Sequence, residues 1–180
     1  SIITIEKLND ILSRSVQQQL MSDVPVGSFL SGGIDSPLIS SYAHKINSSI
    51  QTFTIGSENP IFDETESAVS FAKSMDVINH LHYYSDETLT QDISEHFKAF
   101  SEPFGDYSSL PTFQVCKMAK SHFSVILGGD GGDEIFGGYN RYLLANKYWK
   151  FFKILPPPYN NIFKVLKYLP KPISYVLLDL

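Results

Sequence analysis

Two short loops hold most of the residues whose types and spacing can do chemistry. The first, Ser31-Gly32-Gly33-Ile34-Asp35-Ser36, lies inside "SFLSGGIDSPLIS", between an apolar run and a new apolar pattern. Adjacent glycines let successive backbone N–H groups turn toward an anion, and a helix N-terminus behind them adds positive potential. The lysine of a Walker A loop is missing, and so is the glycine spacing of a dinucleotide loop. What remains is a pair of hydroxyls, Ser31 and Ser36, suited to phosphate oxygens, and an acid, Asp35, that would repel a bare phosphate. An acid at such a place makes sense when Mg2+ stands between it and the phosphates.

The second loop is "LGGDGGDEIFGGYNRY", residues 127–142, with four glycines and three acids between Gly128 and Glu134. A reversing turn needs fewer. Asp130 and Asp133 stand three apart, close enough for one to take a metal and the other a cationic substrate group. Glycines can be mere turn formers and acids mere solvated charges, but two such loops on strand ends of one sheet argue for a ligand.

The elements that must position these loops alternate along the chain. Apolar residues at 5, 8, 12, 16 and 20 mark an amphipathic helix from Ile5 to Leu20. "VGSFL" reads as a buried strand, and Leu38, Ile39, Tyr42, Ala43 and Ile46 share a helical face after the first loop. "IQTFTIG", "VINHLHYYS" and "HFSVILGG" read as strands; "DETESAVSFAKSM", "ETLTQDISEHFKAFS" and "SLPTFQVCKMAKS" read as helices. Strands separated by helices pair in parallel through right-handed crossovers, so the expected fold is α/β, a doubly wound parallel sheet. Such sheets bind ligands beyond the carboxyl ends of their strands, where the strand order reverses. A further helix covers "YLLANKYWKFFKI" until "LPPPYNN" stops it.

The 180 residues, 43% of them hydrophobic and 18% charged, suit one compact domain with a sizeable core. No apolar run reaches the eighteen or so residues of a membrane span, and no basic leader precedes an apolar core, so a cytoplasmic protein without a membrane role is expected. The single cysteine, Cys116, excludes an internal disulfide framework and reads as a buried packing residue of its helix. Charge is uneven: seven Lys and Arg against eighteen Asp and Glu up to Gly138, but seven against one beyond it. The acidic first part argues against bare nucleic acid as a partner. The tail after Gly138 mixes ten aromatics with basic residues and reads as the start of a truncated helical subdomain, leaving self-association into a homo-oligomer open.

The segments "VPVGSFLSGGIDS", "TFTIG", "FDE", "EPFGDYSSLPT" and "LGGDGGDEIFGGYNRY", in that order, resemble the synthetase domain of glutamine-hydrolysing asparagine synthetases, members of the ATP pyrophosphatase (PP-loop) group. The resemblance implies an adenine-nucleotide alpha-hydrolase-like (HUP) domain over 1–142 and a helical extension over 143–180. It implies an ATP-dependent carbon–nitrogen ligase in which aspartate is adenylated at its side-chain carboxylate, with pyrophosphate leaving, before ammonia from a glutaminase domain displaces AMP. Ser31, Gly32, Gly33, Asp35 and Ser36 would hold the pyrophosphate, and Asp35 and Asp133 the Mg2+. The backbones of Phe29 and Ile55 would frame adenine and ribose, with Gly129 lining the same pocket. Asp130 would face the amino-acid substrate, with Glu134 beside it, which makes Asp35, Asp130 and Asp133 the expected catalytic residues. Relatives that amidate another carboxylate, or a catalytically dead nucleotide-binding module, are the alternatives.

The match has three departures. Pro37 stands where the family usually has another hydroxyl residue, which removes one phosphate donor but suits a first helical turn. The chain begins with Ser1 rather than the family's catalytic cysteine, so no glutaminase is expected in it, and the family's later catalytic lysine is expected to lie outside it. Among other candidates, His80 and His82 share a strand face at chelating spacing but lack a third ligand, and read as packing or rim residues. Asp63 and Glu64 read chiefly as helix-capping acids, with a contact at the mouth of the nucleotide site as the alternative. Glu102 and Asp106 divide between loop structure and substrate approach.

Overall fold

In the computed structural model residues 4–60, 63–102, 105–106 and 108–144 are described. The chain divides into two compact units, 1–130 and 131–180. The first unit runs α1 (Ile5–Gln19), β1 (Val26–Phe29), α2 (Asp35–Ile46), β2 (Gln51–Ser57), α3 (Thr65–Met75), β3 (Ile78–Tyr84), α4 (Asp86–Ala99), α5 (Ser109–Lys120) and β4 (Val125–Leu127); the second holds α6 (Gly132–Phe136). Residues 140–144 are helical, whereas 145–154 of the expected tail helix, and the rest of the 143–180 extension, lie outside the described residues.

Local chemistry starts the helices. Thr4 accepts from the Lys7 N–H at the head of α1. Ser85 and Thr88 form a capping box at the head of α4, each side chain bonded to the other's backbone N–H.

The four strands are all parallel, in the order β3-β2-β1-β4. The chain adds β2 and then β3 on one side of β1 and returns to lay β4 on the other, so the order reverses between β1 and β4. Crossovers of one hand put α2 and α3 on one face and bring α5, with α4 on it, to the other. The doubly wound α/β sheet expected from the alternation is the fold observed.

The two faces differ in chemistry. Under α5, Phe53, Val115 and Ala119 are buried with Phe29, Ile55, Met118, Phe123 and Ile126 packed on them. Under α2 and α3, aliphatic clusters form around Ala43 and Ile50 and around Leu30, Ala68 and Ala72. Between these clusters the strands present hydroxyls: Ser28 and Thr52 are 0% exposed and Thr54 is 2%. Burying a hydroxyl is costly unless it is bonded, and each is. Ser28 Oγ meets Ser40 Oγ of α2 at 2.9 Å; Thr52 donates to Asn79 Oδ1; Thr54 sits 2.8 Å from the Leu30 carbonyl and 3.0 Å from Asn79 Oδ1.

Two expectations are corrected. Cys116 is exposed, because α5 buries the side carrying Val115 and Ala119, and one residue beyond Val115 lies about 100° round the helix. The fourth strand is three residues long: Ser121, His122 and Phe123 fold back onto the end of α5 through N–H groups bonded to the Met118 and Ala119 carbonyls, so pairing starts only at Val125.

Candidate functional site

β1 ends at Phe29, and Leu30 is pinned on both sides before the chain enters the first loop. Its N–H donates to the Phe53 carbonyl at 2.9 Å, and its carbonyl accepts from Thr54 Oγ1. From that anchor the loop closes on itself across α2's first turn. Ser36 Oγ accepts from Ser31 N at 2.8 Å and lies 2.8 Å from Ser31 Oγ, while Gly33 N donates to Ser31 Oγ at 3.3 Å. Only one hydrogen fits between two hydroxyl oxygens at that separation, so the other hydroxyl hydrogen is left to donate outward, as a phosphate oxygen requires. Ile34, at the N-cap of α2, provides no side-chain cap, and it is 83% exposed at the loop's crest. The first N–H groups of a twelve-residue helix are thus uncapped by a side chain, beside two hydroxyls and the Asp35 carboxylate. Pro37 fills the third position of α2, where its missing N–H has no helical partner to lose, and it is buried.

Two glycines fix where this loop sits. A Cβ on Gly32 would come 2.8 Å from both the Cβ and the carbonyl oxygen of Glu64, so the loop lies directly against the start of α3. A Cβ on Gly129 would come 2.7 Å from the Ser36 N and 3.0 Å from the Asp35 carbonyl carbon. The chain leaving β4 therefore touches the backbone of the loop leaving β1, at the point where the strand order reverses.

Asp130 follows Gly129 and turns its carboxylate back over Gly128, where a Cβ would overlap it. Its charge also reaches Cys116. The thiol is held above its ordinary value first by partial burial of the sulfur and second by Asp130, although Cys116 as a residue is exposed. A thiol so shifted is protonated at neutral pH and is no nucleophile.

Phe29 and Ile55 send their side chains into the α5-side core, leaving only their backbones for a ligand. The Phe29 carbonyl lies 3.3 Å from the hydroxyls of Ser28 and Ser40, inside the fold. Ile55 differs. The β1–β2 register ends at Phe29 opposite Phe53, and Phe53 turns its carbonyl toward β1 to meet Leu30. Two residues on, Ile55 turns the same way, beyond the last β1 partner.

In the second unit α6 carries Asp133 and Glu134 in its first turn. The N–H groups of Gly137 and Gly138 return to the Asp133 carbonyl and close the helix. The Asp133 side chain lies over Gly138, where a Cβ would overlap it. Glu134 accepts a 2.6 Å hydrogen bond from the Tyr139 hydroxyl, a partner that the glycine-and-acid pattern does not single out.

Of the remaining candidates, Asp63, Asp106 and His80 make structural contacts. Asp63 accepts from the backbone and hydroxyl of Thr65 at the head of α3. Asp106 accepts from the Ser108 N–H and hydroxyl at the head of α5, which holds its carboxyl below the usual range. Glu102 is exposed. His80 stacks on Phe53 with ring centroids 4.9 Å apart, and His82 is exposed on the same strand. Among the described residues no group of three or more His, Cys, Asp or Glu is arranged to hold a metal by itself. No described helix is long and apolar enough to cross a membrane.

Known proteins resemble the chain in sequence and in fold. Asparagine synthetase [glutamine-hydrolyzing] 1 of Bacillus subtilis is 39% identical over 138 residues, 77% of this chain and 22% of that protein. A putative asparagine synthetase [glutamine-hydrolyzing] 2 of Methanocaldococcus jannaschii is 38% identical over 141 residues, 77% of this chain and 27% of that protein. The chain thus spans about a quarter of the length of these relatives. Among solved structures, the NH3-dependent NAD synthetase of Campylobacter jejuni superposes with a TM-score of 0.55 at 16% identity, over 99% of this chain and 93% of that one, a likeness of fold. The family profile described as asparagine synthase matches residues 7–176. With a match that covers nearly its whole length, the chain belongs to the asparagine synthase family.

Proposed function

We propose that the chain is the ATP-binding part of an asparagine synthetase, which activates the side-chain carboxylate of aspartate for amidation. The observation that carries this reading is the contact of two glycine-rich strand-end loops, Gly129 against the Ser36 N–H, at the reversal point of a parallel sheet. Ser31, Gly32, Gly33 and Ser36 bind the β- and γ-phosphates through backbone N–H groups and the free hydroxyl hydrogen. The outward main-chain groups of Ile55 meet the adenine edge, Phe29 supports the strand end, and Gly129 leaves room for the nucleotide.

Asp35 is proposed as a Mg2+ ligand and so, separately, is Asp133 of the second unit, since a carboxylate is a donor that suits the ion. Magnesium takes one or two carboxylates, water and substrate phosphates rather than a closed protein cage. When bound, it neutralises charge on the leaving pyrophosphate. Asp130 takes the substrate's α-ammonium, and Glu134 is a second proposed substrate residue.

The reaction follows from these roles. A carboxylate oxygen of aspartate attacks the α-phosphorus of ATP and forms the aspartyl adenylate as the bond to pyrophosphate breaks. Ammonia, released from glutamine by a glutaminase domain, then adds at the activated carbonyl, loses a proton, and expels AMP. The protein's work is positioning and stabilisation of developing negative charge. The proposed place of this reaction is the cytoplasm, where ATP is at hand.

Pyrophosphate exchange in the full-length protein tests this reading. Labelled pyrophosphate is expected to enter ATP only when aspartate is present. Exchange driven by another carboxylic acid and not by aspartate would reassign the acceptor, and ADP as the product in place of AMP would reject adenylation.

A further inference from the structure

The second unit orders three side chains around Tyr139. Its hydroxyl donates to Glu134 Oε1 at 2.6 Å, and the Arg141 guanidinium carbon lies 4.1 Å from the centre of its ring. Tyr142 closes the group: its ring stands edge-on to that of Tyr139 at 5.6 Å and lies 5.7 Å from the same guanidinium. The backbone is equally fixed, with Tyr142 N–H bonded to the Tyr139 carbonyl and Gly138 N–H to the Asp133 carbonyl.

The Glu134 carboxylate is held at one edge: it accepts from the Tyr139 hydroxyl and from its own backbone N–H, and with the Arg141 charge these hold its carboxyl below the usual range. Its lone pairs outnumber these donors, so it can still accept from a ligand. Arg141 lies on ring faces, and its charge is felt at Glu134 without a close ion pair among the described residues, so its planar fork of N–H donors stays available to an anion. A carboxylate with acceptor capacity to spare and a guanidinium with an open fork, both oriented by one tyrosine, are complementary to the ammonium and the carboxylate of a free amino acid.

We infer that Tyr139 is a positioning residue that fixes Glu134 through its hydroxyl and Arg141 through its ring, so that the two present an ordered pair of charges to a zwitterionic amino-acid substrate. The inference rests on the proposed role of Glu134 at the substrate and goes beyond it, since it assigns how that carboxylate is held and adds a cation for the opposite end of the substrate.

The test is steady-state pyrophosphate exchange in the full-length protein, with KM measured separately for aspartate and for ATP in wild type, Tyr139→Phe, Glu134→Gln, the double variant and Arg141→Gln. Loss of one charge-assisted hydrogen bond predicts that Tyr139→Phe raises the aspartate KM roughly fivefold to tenfold, with the ATP KM and the melting temperature unchanged. The double variant should be no worse than Glu134→Gln alone, because the hydroxyl acts only through that carboxylate. Arg141→Gln should also raise the aspartate KM, while an acid lacking an α-carboxylate should lose little by it. If Glu134→Gln raises the aspartate KM and Tyr139→Phe does not, the positioning role is wrong and the substrate role of Glu134 stands. If Glu134→Gln itself leaves the aspartate KM unchanged, the substrate role fails and this inference fails with it. A Tyr139→Phe variant that raises both KM values equally and melts lower is a merely structural change and overturns the inference.

Discussion

Gly129 is the residue on which the geometry turns, because a side chain there has no room between the two loops. Its Cβ would meet backbone atoms of Asp35 and Ser36, which cannot rotate away as a flexible side-chain end can. Gly129→Ala should therefore lower stability by about 1–3 kcal/mol, the cost of overpacking, as read from urea unfolding. It should also weaken Mg-ATP binding by about tenfold or more, equivalent to about 1.4 kcal/mol. Cys116 provides a second probe at this scale. Burial of the sulfur and, after it, the Asp130 charge hold the thiol above the ordinary value of 9.0, so less thiolate is present at neutral pH than in a free cysteine. Removing the charge lowers that value, and Asp130→Asn should make Cys116 react faster with a thiol reagent at pH 7.5. An unchanged rate would contradict the closeness of the two groups.

At the scale of elements, the β1–α2–β2 layer is held by hydroxyls as well as by aliphatic packing. Thr54→Val keeps the shape but leaves the Leu30 carbonyl and Asn79 Oδ1 without this donor, so it should cost about 1–3 kcal/mol. Because Leu30 opens the proposed phosphate loop, nucleotide affinity should fall with stability. His80 links β3 to the α5-side core. Burial lowers its pKa from the ordinary 6.5, and the neighbouring His122, 4.3 Å away between ring centroids, lowers it further. The folded form therefore binds fewer protons than the unfolded chain as pH drops through 6.5. Stability is full above that pH and is lost as pH falls toward the depressed folded value. Unfolding midpoints compared at pH 7.5 and 5.5 should show a smaller acid loss in His80→Gln than in the wild type.

These elements also mark how far the sequence can be read. Alternating strands and helices make the doubly wound sheet legible, and two glycine loops on strand ends point to the edge where the strand order reverses, which is where the structure brings them into contact. Ser28, Ser40, Thr52 and Thr54 were not legible as a bonded layer, because a hydroxyl in a strand looks the same in sequence whether it faces solvent or a helix. Cys116 was misread for a related reason. Helical spacing defines an apolar stripe only to within a residue or so, and Cys116 lies just beyond the Val115–Ala119 edge. Tyr139 escaped notice because its partnership with Glu134 depends on the turn after α6, which glycines signal without fixing.

For the whole molecule, the charge bears on the proposed ligand. The residues up to Gly138 carry an excess of eleven acids, a poor surface for naked phosphate chains but a workable one for nucleotide that arrives with its magnesium. The match covers about a quarter of each relative's length, so product analysis belongs to the full-length protein. With aspartate, ATP and ammonia, AMP and pyrophosphate should appear in equal amounts with the amide, and ADP should not. The central claim is narrower: the Ser31–Ser36 loop grips the phosphates of ATP through magnesium. Isothermal titration of this chain with ATP, in the presence and absence of Mg2+, tests it most directly. The account predicts magnesium-dependent binding that Asp35→Ala weakens by at least about tenfold. Equal affinity in wild type and variant, or binding indifferent to magnesium, would contradict it.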